Sequence, residues 1–224
     1  MDILESIKSV LAPPHKAGYP FILGGIAVAV LGLLLWHPLT WVGLLFTVFC
    51  LYFFRDPERV LPPRANAFVA PADGLVVSIE RAAPPAELGL GHEPRTRVAI
   101  FLSVLDVHVN RAPIGGVVRK IAYHPGKFFG AADEKASDEN ERNSLILDLP
   151  GGQEVVVVQI AGLIARRILC DVRAGQSLGA GERFGIIRFG SRTDLYLPEG
   201  CEPLVAVGQR MVGGETVIAE LTGA

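Results

Sequence analysis

The sequence has few cysteines and no excess of charge of either sign. Its three cysteines, Cys50, Cys170 and Cys201, show no CxxC spacing, which excludes a disulfide framework and a cysteine-rich zinc site. Twenty-one basic residues against 23 acidic ones leave a net charge of -2. Such a chain has no overall positive field with which to hold nucleic acid. We therefore expect a protein of a reducing compartment that does not bind nucleic acid.

Charge is missing altogether from one part of the chain. The 38 residues between Lys16 and Arg55 contain no Asp, Glu, Lys or Arg, and 28 of them are hydrophobic. Outside that segment the 44 charged residues make up about 24% of 186 residues, which is the proportion of an ordinary globular protein. The sequence therefore predicts a membrane segment joined to a water-soluble domain.

The uncharged segment is divided by His37-Pro38 into apolar stretches at residues 17–36 and 39–54. A spanning helix needs about 20 residues. The first stretch is long enough, whereas the second reaches that length only if flanking residues extend its helix. Basic residues lie on both sides of the pair and none lies in its turn. Because basic residues stay in the cytoplasm, we expect a helical hairpin in the inner membrane with the following domain on the cytoplasmic side. A hairpin buried in a protein core is the alternative, whereas a signal peptide would have a shorter apolar core.

Two domains follow from this division. Residues 1–64 comprise an amphipathic start, which lies along the membrane surface or forms a short solvated helix, and the membrane hairpin. Residues 65–224 are predicted to be mainly β, because β-branched runs alternate there with Gly and Pro. The runs are residues 76–79, 98–109, 117–123, 145–149, 155–160, 184–189, 194–197 and 217–221. Pro150-Gly151-Gly152 predicts a hairpin turn between two of them.

The predicted class is a barrel or sandwich hybrid. Residues 70–74 (Ala-Pro-Ala-Asp-Gly) and 207–215, a glycine-rich stretch before the last strand, look like the two halves of a lipoyl or biotinyl carrier barrel. A carrier, however, would present a lysine at its hairpin tip, and the nearest candidate tip has none.

Few residues of the β-rich domain are suited to chemistry. His108 stands on or at the end of a strongly apolar strand, Asp73 precedes a glycine, and Gly190-Ser191 lies between two strand-like runs. Each also has an ordinary structural explanation, as a buried histidine, a turn and a loop.

Residues 124–143 form a long polar segment, which suggests a functional or mobile loop. Lys127, Phe128 and Phe129 make an aromatic and basic tip there, suited to a membrane interface unless the rings pack on the barrel.

Taken together, these motifs resemble the phosphatidylserine decarboxylase family of self-cleaving proenzymes. The resemblance covers almost the whole chain. It rests on Phe53-Phe54-Arg55-Asp56-Pro57, Pro71-Ala72-Asp73-Gly74, Val107-His108, Glu139-Asn140-Glu141-Arg142 and Gly190-Ser191, in that order. The length is similar to that of the short branch. The cleavage site reads Phe-Gly-Ser-Arg, a spelling associated with the short branch, whereas the best-known members have Leu-Gly-Ser-Thr. A second departure is Leu105, where some members have a second histidine.

The resemblance implies a catalytic trio. Ser191 would be the precursor of a covalent pyruvoyl group and the Schiff-base former, His108 the acid and base, and Asp73 the residue that orients His108. Cleavage between Gly190 and Ser191 would give a large chain, 1–190, and a small chain, 191–224, that stay associated. Neither pyridoxal phosphate nor a metal is expected.

Elementary chemistry agrees with these roles. A glycine leaves its carbonyl open to attack by the next hydroxyl, an imidazole exchanges protons at neutral pH, and a carboxylate can hold the ring. The implied activity is decarboxylation of phosphatidylserine to phosphatidylethanolamine and CO₂ in phospholipid biosynthesis. The same chemistry on another seryl lipid, such as an archaetidylserine-like one, and a non-catalytic membrane-tethered β-barrel adaptor stay as alternatives. A homo-oligomer also stays open.

Overall fold

The computed structural model describes residues 12–127, 140–162, 167–188 and 191–221. The chain divides into two compact units, Met1–Glu58 and Arg59–Ala224. The first unit is helical and the second is mainly β, as the sequence predicts. The amphipathic start over residues 1–11, and Phe128, Phe129 and Gly190 of the predicted sites, lie outside the described residues.

The helical unit consists of a 3₁₀ turn, Lys16–Gly18, and the helices α1 (Tyr19–Leu35) and α2 (His37–Phe53). Trp36 alone separates the helices, with extended backbone, and Pro38 stands in the first turn of α2, where its missing N–H would have no helical partner. The predicted break is therefore confirmed. Counted together with the 3₁₀ turn before it, α1 extends over Lys16–Leu35, an apolar stretch of 20 residues that is long enough to cross a membrane. The helix α2 has only 17 residues.

Small residues let the two helices approach closely. A Cβ on Gly32 would lie 2.2 Å from the Thr40 nitrogen, and one on Gly43 would lie 2.4 Å from the Ala29 nitrogen. Large apolar side chains point outward instead, among them Leu34 at 78% exposure and Trp41 at 67%. Packing through small residues with apolar side chains outside is typical of helices in lipid.

The β-rich unit contains thirteen strands among the described residues. They are β1 (Ala67–Val69), β2 (Gly74–Ala82), β3 (Arg95–Leu102), β4 (Val109–Arg111), β5 (Gly116–His124), β6 (Arg142–Asp148), β7 (Glu154–Ala161), β8 (Arg167–Cys170), β9 (Ser177–Leu178), β10 (Arg183–Arg188), β11 (Ser191–Tyr196), β12 (Arg210–Met211) and β13 (Val217–Glu220). A 3₁₀ turn, Ala86–Leu88, lies between β2 and β3.

The strands form three antiparallel sheets. The largest has the order β12-β2-β3-β11-β7-β6-β5-β9 and curls into a half-barrel. A second sheet has the order β4-β10-β8, and β1 pairs with β13. The late strand β11 therefore lies in the middle of the large sheet, between β3 and β7.

Both faces of the central strands are buried. Val157 and Leu195 belong to the main core on one face, whereas Val156 and Tyr196 belong to a smaller core on the other. This double burial explains why the strand regions are almost continuously apolar instead of alternating. The hairpin turn at residues 150–152 is confirmed, since Asp148 pairs with Glu154 and both glycines have positive φ.

Two boundaries predicted from the sequence are wrong. The run 98–109 is not one strand, because β3 ends at Leu102 and β4 begins at Val109 in another sheet. Asp106 causes the break, since its carboxylate accepts hydrogen bonds from the backbone and hydroxyl of Ser103 and turns the chain there. At the end of the polar segment 124–143, Arg142 and Asn143 already belong to β6.

Candidate active site

Ser191 begins the central strand β11. Its register partners are Leu102 on β3 and Ala161 on β7, and its exposure is 0%. The Oγ atom is buried and has no hydrogen-bond partner within the described part of the chain. A buried, unsatisfied hydroxyl costs about 1 to 3 kcal/mol. Such a group in a central strand therefore calls for an explanation, and chemistry at Oγ is one.

His108 is also fully buried, in the segment that leads into β4. Its Nδ1 lies 2.9 Å from the carbonyl oxygen of Asp106. A carbonyl oxygen can only accept, so this contact requires the proton on Nδ1 and leaves Nε2 of the neutral ring as the basic nitrogen. The ring thus has the tautomer that a general base at Nε2 needs.

His108 and Ser191 are linked through buried neighbours. The Ile187 N–H donates to the His108 carbonyl oxygen at 3.2 Å, and Ile187 packs against Ala161. Ala161 in turn is the register partner of Ser191. Two buried neighbours, Ile187 and Ala161, therefore connect the two sequence-predicted residues. The roles of His108 and Ser191 stay predictions.

A network of buried amide side chains reaches β11 two residues after Ser191. The amide of Asn143 donates to Gln159 at 2.9 Å, the Gln159 amide donates to Asn110 at 2.8 Å, and the Asn110 amide donates to the Thr193 hydroxyl at 3.4 Å. All four side chains are buried. Thr193 and Ser191 are two residues apart on β11 and so share a face. No sequence pattern predicted this network, although Gln159, which interrupts the apolar run 155–160, was a usable signal.

Asp73 stands immediately before β2. Its carboxylate accepts hydrogen bonds from Nη2 of Arg59, at 2.9 and 2.7 Å, and from the Gly213 N–H at 2.7 Å. Burial raises the pKa of Asp73, and the Arg59 charge and the Gly213 N–H oppose that rise without cancelling it. These contacts join Asp73 to Arg59 and Gly213, so its predicted role of orienting His108 stays a prediction.

Asp106 is a further acid at the site that the sequence analysis did not select. Its carboxylate accepts from the Ser103 N–H and hydroxyl at 2.8 and 2.7 Å and from Nη1 of Arg210 at 2.9 Å. Burial would raise the pKa of Asp106, but the Ser103 hydrogen bonds and Arg210 outweigh burial and lower it. The carboxylate is thereby anchored, and with it the carbonyl group that faces His108. An Asp two residues before a histidine was the available signal.

Arg192 directly follows Ser191 and ends the Phe-Gly-Ser-Arg sequence. It lies on the face of β11 opposite Ser191, is 2% exposed, and donates to Asp194 from Nε at 2.6 Å and from Nη2 at 3.0 Å. Arg97 approaches the same carboxylate at 3.8 Å. Burial, followed by the Asp194 charge, raises the pKa of Tyr196 to about 12. Arg192 thus forms a buried ion pair with Asp194 on the face of β11 opposite Ser191.

Lys127 is exposed, and its carbonyl oxygen accepts from the Glu141 N–H at 3.0 Å. Phe128 and Phe129, the other members of the predicted membrane-contact tip, fall outside the described residues, so this contact stays a prediction. Over the described ranges, no group of three or more His, Cys, Asp or Glu side chains is placed to hold a metal ion.

Comparison with known proteins agrees with this geometry. A sequence profile described as phosphatidylserine decarboxylase matches residues 46–219. The phosphatidylserine decarboxylase proenzyme of Granulibacter bethesdensis is 65% identical, covering 99% of this chain and 91% of its own length. Proenzymes of the same name from Gluconacetobacter diazotrophicus, with 60% identity over 99% of this chain and 100% of theirs, and from Cereibacter sphaeroides, with 57% over 98% and 94%, are similar too. The chain belongs to the phosphatidylserine decarboxylase family.

Proposed function

We propose that this chain is a proenzyme that cleaves itself at Ser191 and then decarboxylates phosphatidylserine to phosphatidylethanolamine and CO₂. The observation that carries the proposal is the buried Ser191 Oγ, which has no hydrogen-bond partner among the described residues. The register partner of Ser191, Ala161, packs with Ile187, which bonds to the buried His108. Family membership and the relatives' common name support the activity.

Self-cleavage begins at Ser191. His108 Nε2 accepts the Oγ proton while Oγ bonds to the Gly190 carbonyl carbon. The peptide bond between Gly190 and Ser191 then breaks, which leaves an ester. Removal of the Ser191 α-proton expels the ester carboxylate and so separates residues 1–190 from 191–224. Hydrolysis releases the nitrogen as ammonia, and a pyruvoyl group remains at the start of the small chain.

Decarboxylation requires an electron sink for the carbanion that CO₂ leaves behind. The carbonyl of a pyruvoyl group supplies that sink in place of pyridoxal phosphate. The chain itself contributes a buried position at the start of β11 and the His108 imidazole, which we assign to return a proton to the substrate carbon, directly or through a water. The Asp106 carbonyl keeps Nδ1 protonated in both stages.

The small chain would remain part of the fold. Its strands all pair with strands of the large chain: β11 with β3 and β7, β12 with β2, and β13 with β1. It also supplies Gly213 to Asp73 and Arg210 to Asp106. The carrier-barrel likeness is supported by the same region, since the Gly214 N–H donates to the Ala70 carbonyl at 2.8 Å.

The helical unit would hold the enzyme at its substrate. Withdrawing acyl chains from the bilayer costs about 0.8 kcal/mol per CH₂, so the enzyme must work at the membrane surface. We assign α1 and α2 to the inner membrane and the β-rich unit to the cytoplasmic side, because the flanking basic residues Lys8, Lys16, Arg55, Arg59 and Arg64 favour that side. The outward-pointing apolar side chains of α1 and α2 suit a position in the membrane.

Mass spectrometry of the purified full chain tests the proposal. We expect two fragments, ending at Gly190 and beginning at residue 191 with a blocked terminus, and release of CO₂ from serine-labelled phosphatidylserine. Ser191→Ala should leave one uncut, inactive chain, whereas Ser177→Ala, which changes an exposed serine, should cut and react normally. Active protein with an intact chain and a free Ser191 would contradict the proposal. Cut protein that prefers an ether-linked seryl lipid would restrict it to the other substrate.

A further inference from the structure

Arg59 is the first residue of the β-rich unit, and it contacts the predicted catalytic acid. Its Nη2 donates to both carboxylate oxygens of Asp73, at 2.9 and 2.7 Å. The two side chains are only 14% and 17% exposed, so water screens the contact weakly. The segment that follows the helical unit in sequence thus supplies a direct partner for Asp73.

Stability alone does not explain this ion pair. The Nε of Arg59 is buried and has no hydrogen-bond partner in the part of the chain that the structure describes, which is unfavourable for folding. A buried ion pair also gives little net stability compared with apolar side chains of similar volume, because both charges lose their hydration. The position of Arg59 therefore calls for a role besides stability, and its charge beside Asp73 suggests one.

Charged and titratable groups from several chain segments lie around this pair. They include Asp106, His108, Arg111, Arg210 and Glu215. Burial raises the pKa of Asp73, and the charge of Asp106 adds to that rise, whereas the Arg59 charge and the hydrogen bonds from Gly213 and Arg59 lower it. Arg210 donates to Asp106 at 2.9 Å, so the two neighbouring acids are each bound by a different arginine.

We propose that Arg59 is a positioning residue for self-cleavage, which holds the Asp73 carboxylate ionised and in a fixed orientation at neutral pH. The assignment rests on the proposed function, in which Asp73 supports His108. The imidazole becomes positively charged when Nε2 takes the Ser191 proton, and an ionised carboxylate nearby stabilises that charge. A protonated carboxyl group does not. Arg59 favours the ionised form through its charge and fixes the group by bonding both oxygens.

The pH dependence of self-cleavage tests this assignment. The full chain is labelled in a brief pulse of cell-free synthesis, moved to detergent buffers between about pH 5 and pH 9, and followed by gel electrophoresis. Without Arg59 the pKa of Asp73 should rise. We therefore expect Arg59→Gln to move the pH of half-maximal cleavage rate upward by about one unit, and Arg59→Lys, which keeps the charge, to move it less.

Arg64→Gln is the matched control. It removes another arginine of the same segment, which donates to the exposed Glu220 at 2.5 Å, and it should keep the wild-type pH profile. Slower cleavage of Arg59→Gln by the same factor at every pH, with an unchanged midpoint, would mean a merely structural role and would overturn the assignment.

An infrared titration distinguishes failure of this assignment from failure of the proposed function. It uses the uncut Ser191→Ala chain, in which the carboxyl band of Asp73 is the one lost on adding Asp73→Asn. Adding Arg59→Gln should raise the midpoint of that band by about one pH unit, and adding Arg64→Gln should leave it in place. An unchanged midpoint with Arg59→Gln would refute the assignment. If the wild type never cuts, the proposed function fails, and the titration still decides whether Arg59 controls the ionisation of Asp73.

Thermal melting of the full chain in detergent covers the case in which Arg59→Gln folds poorly. Loss of Arg59 leaves a buried carboxylate without its arginine, and protonation of Asp73 removes that charge. The fall in melting temperature relative to the wild type should therefore be smaller at about pH 5 than at about pH 8. Adding Arg59→Gln to Asp73→Asn should give a fall that does not change with pH. An equal fall at both pH values with Asp73 present would contradict the assignment.

Discussion

At the scale of single residues, the chemistry of the site depends on which ring nitrogen of His108 carries the proton. The His108 Nδ1 lies 2.9 Å from the backbone carbonyl oxygen of Asp106, so the tautomer of the ring depends on the position of residue 106. That position is anchored by Ser103 and by Arg210, which bind different oxygens of the Asp106 carboxylate. Asp106 is thus a positioning residue for His108, acting through its own main chain.

Asp106→Asn should slow self-cleavage about tenfold, because an amide offers Arg210 and Ser103 only one acceptor oxygen between them. Cleavage is followed by gel electrophoresis after pulse-labelled cell-free synthesis of the full chain. Asp148→Asn, at an exposed ion pair with Arg119, is the control and should cleave at the wild-type rate. Wild-type kinetics in Asp106→Asn would show that the carboxylate does not position His108.

At the scale of elements, we expect substitutions to be most destabilising at two contacts: the close packing of α1 on α2, and the ion pair that holds one 3₁₀ turn. In the helical unit, α1 and α2 meet through glycines. In the β-rich unit, the 3₁₀ turn Ala86–Leu88 is tied to β6, where Arg142 donates to both oxygens of Glu87 at 2.7 and 2.9 Å. The sequence predicts the helical hairpin but not the residues through which its helices meet, and it gives no sign of the contact between Glu87 and Arg142.

Gly43→Leu should separate α1 from α2, because even a Cβ there would lie 2.4 Å from the Ala29 nitrogen. We expect the helical circular dichroism signal of the full chain in detergent to melt several degrees lower than in the wild type. Gly24→Leu makes the same change where a Cβ meets nothing within 4 Å, and it should melt like the wild type. Identical melting of both variants would contradict packing through Gly43.

Glu87→Gln should destabilise the β-rich unit in a pH-dependent way. Burial would raise the pKa of Glu87, but the Arg142 and Ser144 hydrogen bonds and the Arg142 charge lower it from 4.5 to about 2. A folded-state pKa below the unfolded one stabilises the fold at pH values above about 4.5, and this stabilisation is lost as the pH falls toward 2.

The measurement for Glu87→Gln is urea unfolding of the full chain in detergent at several pH values. At pH 7 we expect a loss of about 1 to 2 kcal/mol, allowing for solvent screening, and a shrinking difference from the wild type below pH 4.5. Glu199→Gln, at an exposed ion pair with Arg81, should cost little at any pH. A loss that does not depend on pH would rule out the charge of Glu87 as its cause.

At the scale of the whole molecule, cleavage would cut the chain immediately before a central strand. β11 pairs along its full length with β3 and β7, so the small chain is a structural part of the largest sheet. A 34-residue piece is too short to fold without such partners. Cleavage therefore changes the chemistry at residue 191 without requiring the sheet to come apart.

The two fragments should accordingly elute together in size-exclusion chromatography in detergent and separate only in denaturant. The uncut Ser191→Ala chain provides the elution position of the intact fold. A small chain that elutes alone from active enzyme in the absence of denaturant would contradict a shared sheet.

The sequence by itself determined the two apolar helices, most of the strands and the short list of reactive residues. An uncharged segment broken at His37-Pro38 specifies two apolar helices, and β-branched runs between turns specify strands, because both signals depend on residues close together in the chain. Asp73, His108 and Ser191 were selected from local motifs and a family resemblance, and only the tertiary structure shows what surrounds them. Sheet register brings Ser191 to Ala161 and Arg167 to Arg188, and chain segments about 100 residues or more apart supply Arg210 to Asp106 and Gly213 to Asp73. Such contacts leave no periodic pattern in the sequence, since they depend on which strands become neighbours and in what register.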